Sequence, residues 1–231
     1  MTYVFTTSDN LQIPINVEKR RGMHNITLRP KIKPPYEIHL SMPFFTPVSA
    51  ALSFLEQKRG WIEKIYDAAP QKTKIQIGDT INFCGKYIIL SYDENRRSNF
   101  YSENDMLLII GGSPEMFEFR VREFIKKEFM AELKKLIKTV PDEFRPGRIT
   151  LRDTTSSWGS CSSTRTISFS WRLAFAPHDI MRYVVMHELA HLKHMDHSPD
   201  FWAQVGELYG DGVGRAKLWL SKNGQELHKY F

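Results

Sequence analysis

Short stretches of alternating apolar and polar residues recur along the first half of the chain. A period of two predicts half-buried strands. These stretches lie at 11–17, 25–28, 74–77, 80–84 and 86–92. The continuous apolar run at 106–110 predicts one buried strand more. A single helix interrupts the strands, because Thr46 and Pro47 form a helix start and apolar residues then recur at helical spacing as far as Tyr66.

The second half of the chain alternates long helical patterns with single strands. A glycine pair at 111–112 separates the halves, and the first helical pattern runs from Ser113 to the proline at 141. The predicted elements that follow are a strand at 148–152, a polar loop at 154–164, a strand at 166–173, and helices that begin near 177, 198 and 214. We expect the helix that begins at Pro177 to reach about His194.

Composition narrows the range of proteins to which this chain can belong. The longest apolar run is far too short to cross a bilayer, and the first ten residues lack the pattern of a signal peptide, so we expect no membrane association. Cys84 and Cys161 form neither a CxxC motif nor a disulfide framework, which favours a reducing, cytoplasmic setting. The net charge of +6 is divided evenly between 1–112 and 113–231, so it predicts at most weak association with nucleic acid.

The clearest chemical signal is the sequence His-Glu-Leu-Ala-His at 187–191. Residues four apart on a helix are offset by about 40°, so His187 and His191 lie on one face, one turn apart, and can bind one ion. Glu188 is offset by about 100° from His187, which places its carboxylate beside the ion and not among its ligands. This pattern predicts a metal site with Glu188 as general base for a metal-bound water, whereas plain surface histidines are the alternative.

A catalytic zinc site requires a third protein ligand. His197 follows His191 by six residues, and a continuous helix would rotate it by about 240° to the wrong side. It can bind the same ion only if the helix ends between the two histidines, and we expect that turn near Met195 and Asp196. His194 and Glu207 stay open as alternative ligands.

Three segments of the chain resemble one protein family. Residues 185–202 read VMHELAHLKHMDHSPDFW, residues 157–177 read SWGSCSSTRTISFSWRLAFAP, and residues 17–61 contribute a weaker likeness. They resemble the YgjP-like metallopeptidases, which are relatives of the WLM zinc peptidases. The resemblance implies that His187, His191 and His197 are zinc ligands and that Glu188 is catalytic.

The predicted elements and the resemblance together indicate an α+β fold. An antiparallel, β-rich N-terminal domain with one helix at 1–112 would precede a zincin-like catalytic domain at 113–231. The resemblance implies a zinc-dependent metallopeptidase with one Zn²⁺ per chain and a peptide or protein substrate. Two alternatives stay open: a zinc hydrolase of a non-peptide amide, and a nucleic-acid-associated protein with a structural zinc site. Glu188 favours catalysis, because a structural site would not need it.

Two further expectations concern the surroundings of the metal. By analogy with zinc peptidases of this general type, we expect the strand at 166–171 to be an edge strand that pairs with extended substrate backbone. We interpret Trp158 as packing near the helix that carries His187 and His191. Cys161, in the same loop, could alternatively be a nucleophile. The candidates for an oxyanion donor are Arg172, Tyr183 and His194.

Overall fold

The computed structural model describes residues 3–31, 35–67 and 73–231, and it has a mixed α+β fold. The chain divides into two compact units, unit 1 at 1–71 and unit 2 at 72–231. The boundary expected after residue 112 differs from this division and falls inside unit 2. The physical reason is that the glycine pair at 111–112 joins a strand to a helix that shares its hydrophobic core. No helix in the described ranges is long and apolar enough to cross a membrane.

The described residues of unit 1 form one four-stranded sheet, in the order β1-β2-β4-β3, and two helices. Its elements are β1 (Tyr3–Thr6), β2 (Gln12–Arg20), β3 (Thr27–Lys31), β4 (Glu37–Pro43), α1 (Val48–Gln57) and α2 (Arg59–Asp67). Alternate residues of β2 and β4, including Ile13, Ile15, Ile38 and Leu40, form its core together with the apolar faces of the helices. The period of two therefore locates the buried face, as expected for half-buried strands.

Two details of unit 1 differ from the sequence prediction. The single helix expected after Thr46 is two helices, because α1 ends at Gln57 and the chain continues through Lys58 into α2. The residue that precedes α1 is Pro47, whereas the Thr46 N–H donates to the Pro43 carbonyl at 3.0 Å in a separate turn. In addition, strands β1 and β4 were not predicted from the sequence.

Unit 2 contains two sheets and four helices among the described residues. One sheet has the order β5-β6-β8-β7, and the other has the order β10-β11-β9. The elements are β5 (Thr80–Phe83), β6 (Lys86–Asp93), β7 (Phe100–Ser102), β8 (Leu107–Gly111), α3 (Phe117–Ile137), β9 (Arg148–Arg152), β10 (Gly159–Cys161), β11 (Thr166–Ser170), α4 (His178–Ala190), α5 (Pro199–Tyr209) and α6 (Val213–Asn223). Short 3₁₀ turns at Trp171–Phe175 and Gly224–His228 frame the site described below.

The core of unit 2 explains why its helices form where they do. Helix α3 buries one residue at every fourth position, from Phe117 to Ile137, and this row of side chains packs on the sheet. Helix α4 is buried on most of its surface, including Val185, Met186 and Leu189. A helix that is buried almost all round holds its side chains in fixed positions, which suits a metal-binding element.

The strands of both units are less uniformly antiparallel than expected. Each of the three sheets contains one parallel pair: β2 with β4, β6 with β8, and β9 with β11. The expected antiparallel arrangement of the N-terminal part is therefore wrong for two of its pairs. The cause is that alternation of apolar residues fixes which face of a strand is buried but carries no information on the direction of its neighbour.

Three boundaries in unit 2 also need correction. The predicted strand at 74–77 is irregular, and only Thr73 forms a bridge, with Tyr230. The predicted loop at 154–164 contains β10, whose polar residues carry no period-two signal. The strand predicted at 166–173 ends at Ser170, after which the chain enters the 3₁₀ turn Trp171–Phe175.

Candidate metal centre

The structure brings the three predicted histidines together. The ligand nitrogens of His187, His191 and His197 all lie within 4.8 Å of one another. The Nε2 atoms of His187 and His197 are 3.3 Å apart. Zinc–nitrogen bonds of 2.0–2.1 Å at tetrahedral angles separate two nitrogens by about 3.3 Å. The spacing of His187 and His197 therefore matches two ligands of one tetrahedral ion, and the ligand nitrogen of His191 lies within 4.8 Å of both.

His197 reaches the other two histidines because helix α4 ends early. The last residue of α4 is Ala190, and the N–H groups of Lys193 and His194 both donate to its carbonyl at 3.1 Å, which closes a tight turn. The Ser198 side chain then accepts the N–H of Phe201 and caps α5. The helix does end before His197, as the sequence analysis required, but it ends before His194 and not at Met195 and Asp196.

The same turn fixes the ring of His191. Its Nδ1 lies 2.9 Å from the main-chain carbonyl of His194. A carbonyl can only accept, so Nδ1 carries the proton and Nε2 presents its lone pair to the other histidines. His194 therefore contributes a backbone acceptor, and its side chain is not part of the described cluster. Glu207 is likewise outside that cluster, and its carboxylate accepts a hydrogen bond from Gln204 at 2.8 Å.

Helix α5 packs aromatic side chains against the histidine rings. The Phe201 ring lies 4.4 Å from His191, 4.8 Å from His197 and 4.9 Å from His187, measured between ring centroids. Trp202 lies 5.7 Å from both His187 and His197. These contacts restrict the rotation of the three imidazole rings. Both residues lie in the segment 185–202 that resembles the family, but their contacts with the histidine rings were not predicted from the sequence.

Burial keeps two of the imidazoles neutral. It lowers the pKa of His187 to about 4, with further lowering from His191 and His197. Burial also lowers the pKa of His191, whose side chain is only 8% exposed. A neutral imidazole is the form that binds a metal, so these rings need not lose a proton first.

Glu188 lies in a poorly solvated position beside the histidines. Only 5% of the residue is exposed, and burial raises the pKa of its carboxyl group to about 7. Strand β10 passes directly over it, because a Cβ atom on Gly159 would lie 2.5 Å from Cγ of Glu188. Glycine is therefore required at this position for the strand and the carboxylate to approach so closely. Gly159 lies in the segment 157–177 that resembles the family, but its contact with Glu188 was not predicted from the sequence.

The raised pKa of Glu188 predicts a pH-dependent stability difference in metal-free protein. The folded-state pKa of this carboxyl group lies near 7, above its ordinary value of 4.5. The group therefore favours the folded state fully below pH 4.5 and loses that contribution as the pH rises through 7. Glu188→Gln should therefore gain stability relative to wild type between these pH values, by about 1–3 kcal/mol. Urea unfolding in the presence of chelator measures the difference, and a constant difference between pH 4.5 and 8 would contradict it.

Two other candidates have surroundings that do not favour the expected roles: Arg172 as an oxyanion donor and Cys161 as a nucleophile. Arg172 is buried, its Nε donates to Asp153 at 2.6 Å, and it also donates to the main-chain oxygens of Tyr230 and Phe231. Its donors are thus engaged away from the histidines. Burial and the nearby Glu188 carboxylate raise the pKa of the Cys161 thiol, which disfavours a thiolate nucleophile.

The strand expected at 166–171 is not the edge strand that was predicted to pair with substrate. Strand β11 lies in the centre of its sheet, antiparallel to β10 on one side and parallel to β9 on the other, so both of its edges are occupied. The edge strand beside α4 is β10, at Gly159–Cys161. The prediction failed because β10 is short and polar, and the sequence therefore gave no sign of a strand outside β11.

Comparison with known proteins identifies the chain as a metallopeptidase. A protein-family model described as "YgjP-like, metallopeptidase domain" matches residues 25–223, so the chain belongs to this family. The resemblance drawn from its motifs is therefore confirmed. Among solved structures, the chain is similar to the crystal structure of the metallopeptidase zymogen of Pyrococcus abyssi abylysin, with 24% identity and a TM-score of 0.33. That match covers 46% of this chain and 98% of the other. No curated protein matches significantly.

Proposed function

We propose that this metallopeptidase binds one Zn²⁺ through His187, His191 and His197 and hydrolyses peptide bonds with Glu188 as general base. The observation that carries the proposal is the convergence of three imidazoles, from the end of α4 and the turn that follows it, beside the buried Glu188 carboxylate of α4. A site with three protein ligands leaves one coordination position for water or substrate, which is typical of catalytic zinc. The substrate is a peptide or a protein segment in extended conformation.

In the proposed reaction Glu188 first accepts and then donates a proton. A zinc ion bound here would lower the pKa of water and polarise the scissile carbonyl. The Glu188 carboxylate accepts the proton of the attacking water and then delivers it to the leaving amine. In the metal-free protein burial raises the pKa of this carboxyl group to about 7, which strengthens its affinity for the proton that it accepts. Gly159 keeps β10 against this carboxylate and limits the access of bulk water.

Tyr183 is the oxyanion donor that the surroundings favour among the three candidates. Burial raises the pKa of its phenol to about 12, so the hydroxyl keeps its proton at neutral pH. Tyr183 lines the same cavity as Glu188 and His187. Arg172 is committed to Asp153, and His194 supports His191 through its backbone.

We further propose that substrate backbone adds to the free edge of β10. Strand addition needs only main-chain donors and acceptors, and β11 already holds the other edge of β10. A peptide bound along β10 would pass Gly159 and therefore Glu188. This arrangement would bring the scissile bond to the carboxylate without requiring a particular side chain.

The other two functions receive less support from the site. A structural zinc site normally has four protein ligands, and the cluster in the described residues offers three. A hydrolase of a non-peptide amide could use the same chemistry, but the family is one of metallopeptidases and β10 offers an edge for a peptide backbone. Neither weak nucleic-acid association nor a cytoplasmic location is needed to explain the site.

The proposed function is tested with a broad library of peptides and unfolded proteins. Zinc-loaded protein should cleave members of the library, a chelator should stop cleavage, and added Zn²⁺ should restore it. Mass spectrometry of the products locates the cleaved bonds. Zinc-loaded, folded protein that cleaves nothing in the library would contradict the peptidase assignment and favour the non-peptide or structural alternatives.

Gly159→Ala should reduce peptide cleavage strongly while leaving the zinc content unchanged. The added methyl group would lie 2.5–2.7 Å from three atoms of the Glu188 side chain, so either the carboxylate or β10 must move. A displaced general base costs up to about 10²–10⁴-fold in rate. The measurement is kcat/KM beside zinc content and thermal unfolding. Gly206→Ala, at a position where an added Cβ meets nothing within 4 Å, is the matched control.

A further inference from the structure

A cavity of about 220 Å³ opens directly beside Glu188 and His187. Trp158, Tyr183 and Val184 provide its apolar walls. The volume exceeds that of a cavity of roughly 150 Å³ known to hold a benzene ring, and it lies below the roughly 300 Å³ at which pockets for whole small molecules begin. It therefore suits one apolar side chain.

The cavity is continuous with the catalytic side of helix α4. Val184 and Glu188 are four residues apart, as are Tyr183 and His187, so each pair lies one above the other on the same face. A substrate whose scissile bond lies at Glu188 would carry a flanking side chain within reach of the cavity. An acidic side chain would meet the Glu188 carboxylate in poorly solvated surroundings, and glycine would leave the cavity empty.

Trp158 is held in place by a distant segment of the chain, the 3₁₀ turn at Gly224–His228. Its indole stacks on the His228 ring with a centroid distance of 5.3 Å and an interplanar angle of 30°. An added Cβ on Gly224 would lie 3.0 Å from Cζ2 of the indole, so the two residues are already in tight contact. The Trp158 carbonyl also accepts the N–H of Ser170 at 2.9 Å.

The 3₁₀ turn is itself anchored. Its residues Gly224, Leu227 and His228 are buried. The chain immediately after it is fixed by Arg172, which donates to the Tyr230 and Phe231 main-chain oxygens at 2.6 Å and 3.0 Å. The position of the indole is therefore set by a rigid part of the fold.

We propose that this cavity receives an apolar side chain, aliphatic or aromatic, of the substrate residue that flanks the scissile bond. Gly224 and His228 are positioning residues that act through Trp158, which forms the outer wall. This inference rests on the proposed function and names its substrate class. Tyr183 and Val184 form the inner wall on the helix.

The test uses zinc-loaded full-length protein and peptides that carry Gly, Asp, Ala, Leu, Phe or Trp at either position flanking the cleaved bond. Wild type should favour Leu or Phe at one of these positions, over Gly and Asp, by about 10-fold or more in kcat/KM. Val184→Ala enlarges the cavity and should shift the ratio of Trp to Leu cleavage upward by about 10-fold. Trp158→Leu should remove most of the preference.

The positioning residues are tested through the same ratios. His228→Ala should weaken the preference of wild type, and His228→Phe, which keeps a ring for stacking, should restore it. Gly224→Ala should alter the preference because the indole must move. Trp61→Leu is the control for replacing a tryptophan, because Trp61 is 47% exposed and is not among the described residues that line the cavity. Its profile should match that of wild type, and zinc content and thermal unfolding are measured for every variant.

The outcomes separate this inference from the proposed function. Wild type that cleaves peptides without an apolar preference at either flanking position would overturn the inference and leave the peptidase intact. The same holds if Val184→Ala and Trp158→Leu keep the wild-type ratios. Unchanged ratios in His228→Ala, beside altered ratios in Trp158→Leu, would overturn the positioning by the 3₁₀ turn. Wild type that cleaves no peptide would overturn both the inference and the proposed function.

Discussion

Replacing Glu188 by glutamine is expected to abolish peptide cleavage while the protein keeps its fold and its zinc. The carboxylate lies beside the three histidines and is not one of the clustered ligands, so an amide of the same shape should leave metal binding intact. An amide cannot accept the proton of the attacking water. A general base contributes about 10²–10⁴-fold, so kcat/KM should fall by at least that order.

The Glu188→Gln measurement needs a partner that separates loss of chemistry from loss of metal. His191→Ala removes a proposed ligand and should lose both zinc and activity. Zinc content, thermal unfolding and kcat/KM are therefore measured together for the two variants and wild type. Near wild-type turnover in Glu188→Gln, on a peptide that wild type cleaves, would show that another group takes the proton.

Replacing His197 by alanine is expected to cause a larger loss of zinc affinity than replacing any other residue outside the segment 187–191. Its Nε2 lies 3.3 Å from that of His187, so its removal leaves two of the three proposed ligands. Even residues that only support a ligand cost 10–100-fold in metal affinity when mutated, so loss of a ligand should exceed about 100-fold. Competition with a chromogenic chelator measures the affinity.

Two matched variants make the His197 result specific. His194→Ala retains the carbonyl that orients His191, and Glu207→Ala removes a carboxylate that is hydrogen-bonded to Gln204. Both should keep zinc affinity within about 10-fold of wild type, since neither is placed as a ligand. If Glu207→Ala loses the metal while His197→Ala keeps it, the third ligand comes from α5 and the proposed site is wrong.

The histidine cluster was predictable because its geometry is local. The period of the helix alone places His187 and His191 on one face and Glu188 beside them. The requirement that the helix end before His197 followed from the same angles. The residue at which it ends did not, since Ala190 terminates α4 through backbone hydrogen bonds that any sequence can form.

The surroundings of the cluster depend on contacts between residues far apart in the chain. Strand β10 is a strand because it pairs with β11 and packs on α4, whereas its own residues Gly-Ser-Cys have little β propensity. The same holds for Trp158, whose place is set by Gly224 and His228. Sequence patterning detects which residues are apolar, but it cannot detect which distant segment covers them.

The division of the chain shows the same limit. The glycine pair at 111–112 is a real break between a strand and a helix, and it was a reasonable place to expect a boundary. Strand β8 and helix α3 nevertheless share one core, so both belong to the compact unit at 72–231. Local breakers mark the ends of elements, whereas the extent of a unit is decided by which elements share a core.

The most direct test of the account is an anomalous difference map measured at the zinc absorption edge, from crystals of protein purified with zinc. We predict a single peak per chain, at about 2.0–2.1 Å from the Nε2 atoms of His187, His191 and His197. Glu188 should lie beside the peak without ligating it. A peak coordinated by Glu207 or by Glu188 itself, or the absence of any peak among the three histidines, would contradict the proposed metal centre.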